Sequence, residues 1–544
     1  MADNNKKPKY IIVTGGVLSG LGKGIVTSSI GKLLQMQGYC VTAIKIDPYI
    51  NIDAGTIRPT EHGEVFVTED GGEIDQDLGN YERFLNINLH KDHNITTGQV
   101  YLEVITKERA GKYLGQDVEV MPHIPEEIKR RIRATAKRMG VDFTLVEIGG
   151  TVGDYQNILF MEAARQMKLD GDEVVFVHVV YLPIPKNIGE MKTKPAQHSI
   201  IKANSLGIHP DFIIGRAEKP LDEPRKKTIS FTCSIKPDRI FSAPDLESIY
   251  EEPLVFAEQE LDKEILKKFN LPYKHNGELK EWKKFIEKIK SPKKEVKVGI
   301  VGKYFDTGDF SLEDSYISVI EAVKHACINN NVKAKIQWIN SKDFEKDPKS
   351  VSKLKEVDAL IVPGGFGNSG VEGKILAIKY ARENNLPYLG LCYGMQLAVC
   401  EFARNVCGMT GAISTEINKD TKYPIIDILP EQIDKLKLND YGATMRLGEY
   451  PAVLKEGTKT FDLYGQKEVS ERHRHRYEVN PEYIPKLEEK GLVFSGKSPD
   501  RKLMEFIELP DHKFFVGTQG HPEFKSRPLK GHPLFVGLIK AALE

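Results

Sequence analysis

Gly390-Leu391-Cys392-Tyr393-Gly394 sets a thiol between two glycines, where the apolar run Pro387 to Gly390 gives way to a helical stretch. Small flanking residues permit the sharp turn of a nucleophile elbow, and a helix N-terminus favours thiolate over thiol. A thiolate nucleophile needs a base, and the base needs an orienting group. Gly520-His521-Pro522-Glu523, just after the apolar run Phe514 to Thr518, offers both. If this segment is extended, His521 and Glu523 point the same way, which suits Glu523 to hold the imidazole tautomer. Upstream, the backbone N–H groups of Pro363-Gly364-Gly365-Phe366-Gly367 can supply half of an oxyanion hole, and the N–H of Tyr393 the rest. Cys400 and Cys407 lack such a setting and read as structural.

A second chemistry is written in Gly15-Gly16-Val17-Leu18-Ser19-Gly20-Leu21-Gly22-Lys23-Gly24, which follows the β-branched run Tyr10 to Thr14 and opens a helical stretch reaching about Gln37. Glycines let successive N–H groups curl round phosphate oxygens, while the helix N-terminus and Lys23 add positive potential, which suits a nucleoside triphosphate. The match to a P-loop is imperfect: Gly16 is one residue too far from Gly22-Lys23, and Gly24 stands where a Ser or Thr hydroxyl usually holds magnesium. The metal must find carboxylates instead. Asp77, at the end of Glu73-Ile74-Asp75-Gln76-Asp77, and Glu147, at the end of the strand-like Phe143 to Ile148, are the candidates. Extended alternation would put Glu73, Asp75 and Asp77 on one side. Magnesium asks for one or two carboxylates plus phosphate oxygens, and strand ends face the ligand crevice in open α/β sheets. Lys45, ending Val41 to Ile46, can reach the same phosphates. In Lys192-Thr193-Lys194-Pro195-Ala196-Gln197-His198-Ser199, two lysines suit a second triphosphate and Gln197 a base or sugar; the same composition reads equally as an exposed helix start.

These residues need scaffolds. Two runs, Tyr10 to Gly16 and Val296 to Gly302, each pass from β-branched residues into glycine, the opening of a parallel α/β domain. Further buried strands are expected at Val41 to Ile46, Phe143 to Ile148, Val174 to Leu182 and Phe212 to Gly215, then at Ala359 to Val362, Pro387 to Gly390 and Phe514 to Thr518. Both halves therefore read as α/β, doubly wound domains. Between them the Lys- and Glu-rich stretch from Leu279 to Lys297 places Trp282, Phe285, Ile286 and Ile289 on one helical face, a linker helix ending near Ser291-Pro292. The expected division is 1–270, a linker 271–296, and 297–544.

The 544 residues, 40% apolar and 28% charged, suit at least two folded cores and exclude wholesale disorder. Lys plus Arg and Asp plus Glu balance at 77 each, so no overall field draws the chain to nucleic acid or an anionic membrane. Val174 to Leu182 is about half of what crosses a bilayer, and His178 interrupts it. The opening MADNNKKPKY has no apolar segment of signal-peptide length, so the expected location is cytoplasmic. Six scattered cysteines without CxxC spacing indicate neither a disulfide framework nor a zinc site.

In this order the motifs TGGVLSGLGKG, KIDPYIN, HGEVFVTEDGGEIDQDLGNYERF, VEIGGTVGD, KTKPAQHS, PGGFG, GLCYGMQ, TMRLG, RHRHRYEVN and GHPEF resemble the CTP synthase family from about residue 8 to the C-terminus. The resemblance implies an N-terminal amidoligase domain of the dethiobiotin-synthetase-like P-loop kind joined to a class I glutaminase domain. The implied reaction takes UTP, ATP and L-glutamine to CTP, ADP, phosphate and glutamate. By the same resemblance Gly20, Leu21, Gly22, Lys23, Gly24 and Ile25 bind ATP, with the adenine near Asp245-Leu246, and Asp77 and Glu147 bind Mg2+. Ser19, Asp154 and the stretch Lys192, Thr193, Lys194, Pro195, Ala196 and Gln197 form the UTP/CTP site. Glutamine is held by Gly365, Tyr393, Gly394, Met395, Gln396, Glu416 and Arg476, with Cys392, His521 and Glu523 as the triad. His62 resembles a residue at the ammonia entry. A homotetramer, CTP as feedback inhibitor and GTP as activator are also implied.

Several positions depart from the family pattern. Asp154-Tyr155-Gln156 stands where Asp-Ile-Glu is common, Gly20 and Ala196 where Ser and Thr are frequent, Tyr393 where Leu is usual, and Lys227-Thr228 is one place off an expected Lys. These bear on nucleotide contacts and CTP feedback, and none removes a reacting group. Two rivals stand beside this expectation. One is a P-loop amidotransferase that amidates a carboxylate, against which KTKPAQHS argues; the other is a non-catalytic nucleotide-binding or filament protein that keeps the fold, which would show eroded catalytic residues, and none is eroded.

Overall fold

The computed structural model describes residues 7–274, 278–302, 306–307, 310–311, 313–429, 432, 442 and 444–544. By compactness the chain forms two units, Met1–Asp53 with Asp77–Ile286, and Ala54–Gln76 with Glu287–Glu544.

The first unit is built on a seven-stranded sheet among the described residues, in the order Asn94–Thr96, Val41–Asp47, Phe143–Ile148, Lys9–Gly15, Val174–Tyr181, Phe212–Ala217, Ile240–Pro244. Every neighbouring pair is parallel. The central strands are largely apolar because helices cover both faces: Ile11, Ile12, Val13, Leu145, Val177 and Ile213 are all fully buried, while charged residues such as Lys45 and Glu147 sit toward the C-terminal strand ends. The glycine loop feeds the helix Lys23–Met36 through Gly22, whose φ of 85° lies in the left-handed region that a side chain would strain. The expected linker helix is present as Glu278–Lys290. Its Trp282 is buried and donates from Nε1 to the Tyr250 carbonyl (2.9 Å), so the N-terminal part of this helix packs as the last element of the first unit.

The second unit carries a nine-stranded sheet among its described residues. Five strands are parallel: Lys333–Asn340, Glu295–Gly302, Ala359–Val362, Tyr388–Leu391 and Phe515–Thr518. The sheet then continues antiparallel through Met504–Glu508, Val493–Lys497, Arg446–Leu454 and Glu468–His475. Doubly wound packing thus holds over the parallel half, where helices such as Val371–Glu383 and Tyr393–Asn405 bury their apolar faces.

The acidic stretch departs from the extended alternation expected of it. Glu73–Ile74 pairs with Phe66–Val67 in a short hairpin of the second unit, and Glu73 is ion-paired there to Arg474 (2.8 Å). Asp77 instead opens the helix Asp77–Leu85 of the first unit. The three carboxylates share no face, because the half-buried guanidinium of Arg474 claims the buried Glu73 and the helix turns Asp77. Among the described residues no helix is long and apolar enough to cross a membrane.

Candidate functional site

In the first unit the glycine loop lies between two other loops and a helix. Val152 donates its N–H to the Gly15 carbonyl (2.8 Å), and Lys23 Nζ donates to the Gly150 carbonyl (2.9 Å). These bonds tie the Gly149 to Asp154 turn to the phosphate-type loop. A Cβ on Gly16 would sit 1.6 Å from Ser199 Oγ, and one on Gly153 would sit 2.7 Å from Lys202 Cε, so the helix Lys194–Ser205 seats against both loops. His178, fully buried in its strand, bridges Thr14 Oγ1 (2.8 Å) and Ser199 Oγ (2.7 Å), and burial pushes its pKa down to about 3. A neutral imidazole therefore spans the two segments.

The carboxylates converge beside the same loop. A Cβ on Gly24 would lie 2.7 Å from Asp77 Oδ1 and 3.6 Å from Glu147 Oε2. The absence of a side chain at position 24 thus lets the Asp77 carboxylate pack against the start of the helix, with Glu147 beside it. Lys45 Nζ is paired with Asp77 and, at 3.2 Å, with Asp47, while Tyr81 Oη donates to Glu147. Burial, reinforced by the like charge of Asp77, holds the Glu147 carboxyl well above the usual carboxylate range. Lys23 is lowered by burial, an effect that Glu147 and Asp77 oppose. Among the described residues no cluster of three or more His, Cys, Asp or Glu side chains could hold a metal unaided. Two oxygen-donor carboxylates next to a phosphate-type loop do fit magnesium, which takes its remaining ligands from phosphates and water.

The other expected nucleotide residues lie in the same unit. Ser19 and Gly20 are exposed on the loop, Leu21 is buried, and Ile25 is half-buried in the first turn of the helix. Asp154 is exposed, and its Oδ2 accepts from Thr151 N (3.0 Å) and Thr151 Oγ1 (2.6 Å). Lys192 is paired with Glu190 (2.6 Å), and Lys194 is exposed. Thr193 occupies the N-cap position without a side-chain cap bond, and Pro195 lies in the first turn. Ala196 and Gln197 are buried, with the Gln197 amide donating to Thr193 Oγ1 (2.9 Å), so these two build the helix start. Asp245 is exposed, Leu246 half-buried, and Asp245 accepts from Arg216 (3.2 Å). Arg216 was not singled out from the sequence. Its guanidinium also lies beside Gly22, where a Cβ would be 3.5 Å from Nε. A lone Arg at a strand end has no motif to reveal it.

In the second unit, Cys392 sits between the strand Tyr388–Leu391 and the helix Tyr393–Asn405 with φ 48° and ψ −99°. A non-glycine residue held there is strained, and surrounding bonds fix it: Cys392 N donates to the Thr518 carbonyl (2.7 Å). Gly394 has no room for a side chain, since a Cβ would lie 2.0 Å from the Val362 carbonyl oxygen. His521 and Glu523 meet in a 3-10 turn, Pro522–Lys525, in place of the extended segment expected, because Pro522 favours the first turn of a helix. The intended contact is made all the same: His521 Nδ1 lies 2.7 Å from Glu523 Oε1. Burial lowers the imidazole pKa, but Glu523 and the Cys392 sulfur overcome it and raise His521 to about 10.

A cavity of about 230 Å³ opens here, lined by Gly364, Gly365, Phe366, Cys392 and His521 and, across it, by Gly55, Arg58 and Glu64. All belong to the second unit. Glu416 Oε1 accepts from Gly367 N (2.8 Å), and Arg476 donates to Gln432 Oε1 (2.7 Å) and Thr444 Oγ1 (2.9 Å). Met395 is fully buried, and Gln396 donates to the Tyr477 carbonyl (2.9 Å) beneath the elbow. Sequence reasoning missed Gln519, whose amide donates to Cys392 Sγ (3.5 Å), and Arg474, whose carbonyl lies 3.8 Å from the sulfur. The His62 side chain lies outside the described residues.

Residues 9–271 match the family described as CTP synthase N-terminus, and residues 311–541 the family described as glutamine amidotransferase class-I. The chain is 52% identical over 542 residues to a CTP synthase of Methanocaldococcus jannaschii, covering 98% of each. It is 54% identical over 539 residues to a CTP synthase of Pyrococcus furiosus, again covering 98% of each. A solved glutaminase domain of Trypanosoma brucei CTPS with bound acivicin is 36% identical, with 46% of this chain and 94% of that one covered and a TM-score of 0.42. With both family matches on one chain and identity above half sustained over nearly its whole length, this chain belongs to the CTP synthase family.

Proposed function

We propose a set of residue roles for the glutamine-dependent conversion of UTP to CTP, the reaction this family and this chain carry out. The observation that carries the nitrogen-releasing half is the 2.7 Å contact of Glu523 with a His521 raised to about 10 beside the Cys392 sulfur. At that value the imidazole is protonated at neutral pH, and an imidazolium beside a sulfur favours attack as thiolate. The thiolate attacks the glutamine amide carbon, the C=O pair moves onto oxygen, and the oxyanion is met by backbone N–H groups of Tyr393 and the Gly365 loop. Collapse restores the carbonyl, breaks the C–N bond and sends the amine away with the proton from His521. Water then attacks the thioester, giving glutamate and the free thiolate. Glu416 and Arg476 suit the charged ends of the amino acid.

In the first unit, Lys23, Lys45 and the glycine loop bind ATP, and Ser19, Asp154 and the Lys192 to Gln197 stretch bind UTP. The γ-phosphoryl group passes to the uracil O4, whose phosphate then leaves as ammonia attacks C4; an oxygen alone would leave poorly. Catalysis is positioning and charge neutralisation of the moving phosphoryl group. Asp77 and Glu147 would hold Mg2+, which when bound neutralises phosphate charge. A homotetramer, CTP inhibition, GTP activation and a cytoplasmic location complete the proposal, on the family resemblance.

Two outcomes test these roles. Because its folded pKa is raised, the charge on His521 is complete below the ordinary imidazole pKa and is lost as pH rises through about 10. Glutamine hydrolysis should therefore keep its alkaline limb near that value. Glu523→Gln removes the main raising influence, so the limb should move toward neutrality while kcat falls about a hundredfold. A limb that stays in place shows that Glu523 does not set the imidazole. For the carboxylates, a Glu147 raised by burial and by Asp77 should lose its proton when a cation arrives. Adding Mg2+ and ATP in weak buffer near neutral pH should release protons beyond those that Mg2+ and ATP release alone, and Glu147→Gln should abolish the excess. An unchanged release would remove Glu147 from the site.

A further inference from the structure

The Pro363 to Gly367 loop is held at one residue from two sides. Gly367 N donates to Glu416 Oε1 (2.8 Å), and the Gly367 carbonyl accepts from Tyr393 Oη (3.1 Å). Gly367 has φ 75°, a turn in which its N–H and C=O leave the chain in directions that a neighbouring segment must satisfy. The Tyr393 ring is buried, and the ammonium of the fully buried Lys374 lies 5.2 Å from its centroid. A buried cation over an aromatic face fixes the ring, and so fixes where the hydroxyl points.

Tyr393 thus occupies both halves of the same feature. Its backbone begins the helix after Cys392, where the first N–H groups lie outside the helical ladder and face the nucleophile's side. Its side chain reaches back to the loop that supplies the opposing N–H group. We propose that Tyr393 is a positioning residue whose hydroxyl, with Glu416, clamps Gly367 and so keeps the two halves of the oxyanion hole in register for glutamine hydrolysis. This rests on the glutaminase roles proposed above. Donors aimed at a developing oxyanion act through fixed placement, so a loop free to swing loses rate at the step where charge develops more than it loses ground-state affinity.

Tyr393→Phe removes one oxygen and keeps the ring under Lys374. The kcat for glutamine hydrolysis should fall about ten- to a hundredfold, with the KM for glutamine changed less than about threefold. Iodoacetamide alkylation of Cys392 forms no oxyanion and should proceed at the wild-type rate. Unchanged kcat, or a rise in KM alone, overturns the proposal; so does a parallel fall in alkylation, which would show that the elbow itself had been disturbed. Wild-type protein alkylated at Cys392 supplies the separate control. If it still uses glutamine, the glutaminase roles themselves fail; if it uses only ammonia, they stand whatever Tyr393→Phe shows.

Discussion

Cys392→Ala should abolish CTP formation from glutamine, by at least about a thousandfold, while CTP formation from added ammonium salt persists. Cys392 is the one sulfur placed on an elbow, with Gln519 donating to it at 3.5 Å and a raised imidazole beside it. Cys40 is exposed but belongs to the first unit, whereas Cys392 and His521 belong to the second, and the remaining thiols are poor substitutes. Burial pushes Cys233 up to about 11, Cys327 up to about 12 and Cys400 up to about 12, and it also raises Cys407, so these stay protonated and inert. The variant should fold, because a smaller side chain at a strained position leaves the bonds of the elbow backbone intact: the Cys392 N to Thr518 carbonyl bond and the Gln396 N to Cys392 carbonyl bond. The measurement is absorbance of CTP with each nitrogen source in turn. Retained glutamine use would move the nucleophile elsewhere. Loss of both activities would mean that the thiol serves the synthetase chemistry too, against the separation of the two sites into different units.

The parts of these sites that were readable in the chain are those whose physics is local. Buried parallel strands show as short, mostly apolar runs rich in β-branched residues, so Tyr10 to Thr14, Phe143 to Ile148 and Ala359 to Val362 could be placed within a residue or two. Glycines that admit a phosphate loop or an elbow announce themselves in the same way. The antiparallel strands Arg446–Leu454 and Glu468–His475 could not be found by hydropathy, because they bury charge. Arg446 is held between Glu478 (3.1 Å) and Glu505 (2.7 Å), and His473 lies 3.0 Å from His475. A strand stabilised by mutual satisfaction of buried polar groups looks like a surface strand in sequence. The hairpin between Ala54 and Gln76 was hidden for a different reason. Neighbours in sequence suggest one domain, whereas Glu73 is folded with Arg474, four hundred and one positions away. The carbonyls that face Cys392 and bind His521 N, from Arg474 and Arg472, are backbone atoms that no residue pattern encodes.

Lys23→Met is the counterpart in the first unit, and CTP formation should fall about a thousandfold or more whichever nitrogen source is supplied. Lys23 leaves the first turn of its helix and lies buried along Gly15, with Nζ donating to the Gly150 carbonyl at 2.9 Å. In that place it faces the carboxyl groups of Asp77, Asp47 and Glu147, with Lys45 the other cation acting on it. A triphosphate entering without the lysine would meet those carboxylates with less positive charge to offset them, and the transferring phosphoryl group would lose a charge partner. Methionine keeps the length of the side chain and spares the protein a buried ammonium whose pKa is already lowered by burial. Thermal stability should therefore be close to wild type, and the loss should be one of phosphoryl transfer. The decisive measurement is UTP-dependent release of ADP without any nitrogen source, together with iodoacetamide labelling of Cys392 as a check on the second unit. Labelling at the wild-type rate with no ADP formed locates the defect in the nucleotide site. A Lys23→Met enzyme that still aminates UTP from ammonium salt would show that the glycine loop does not bind the reacting triphosphate, and the proposed path from ATP to the uracil oxygen would have to be abandoned.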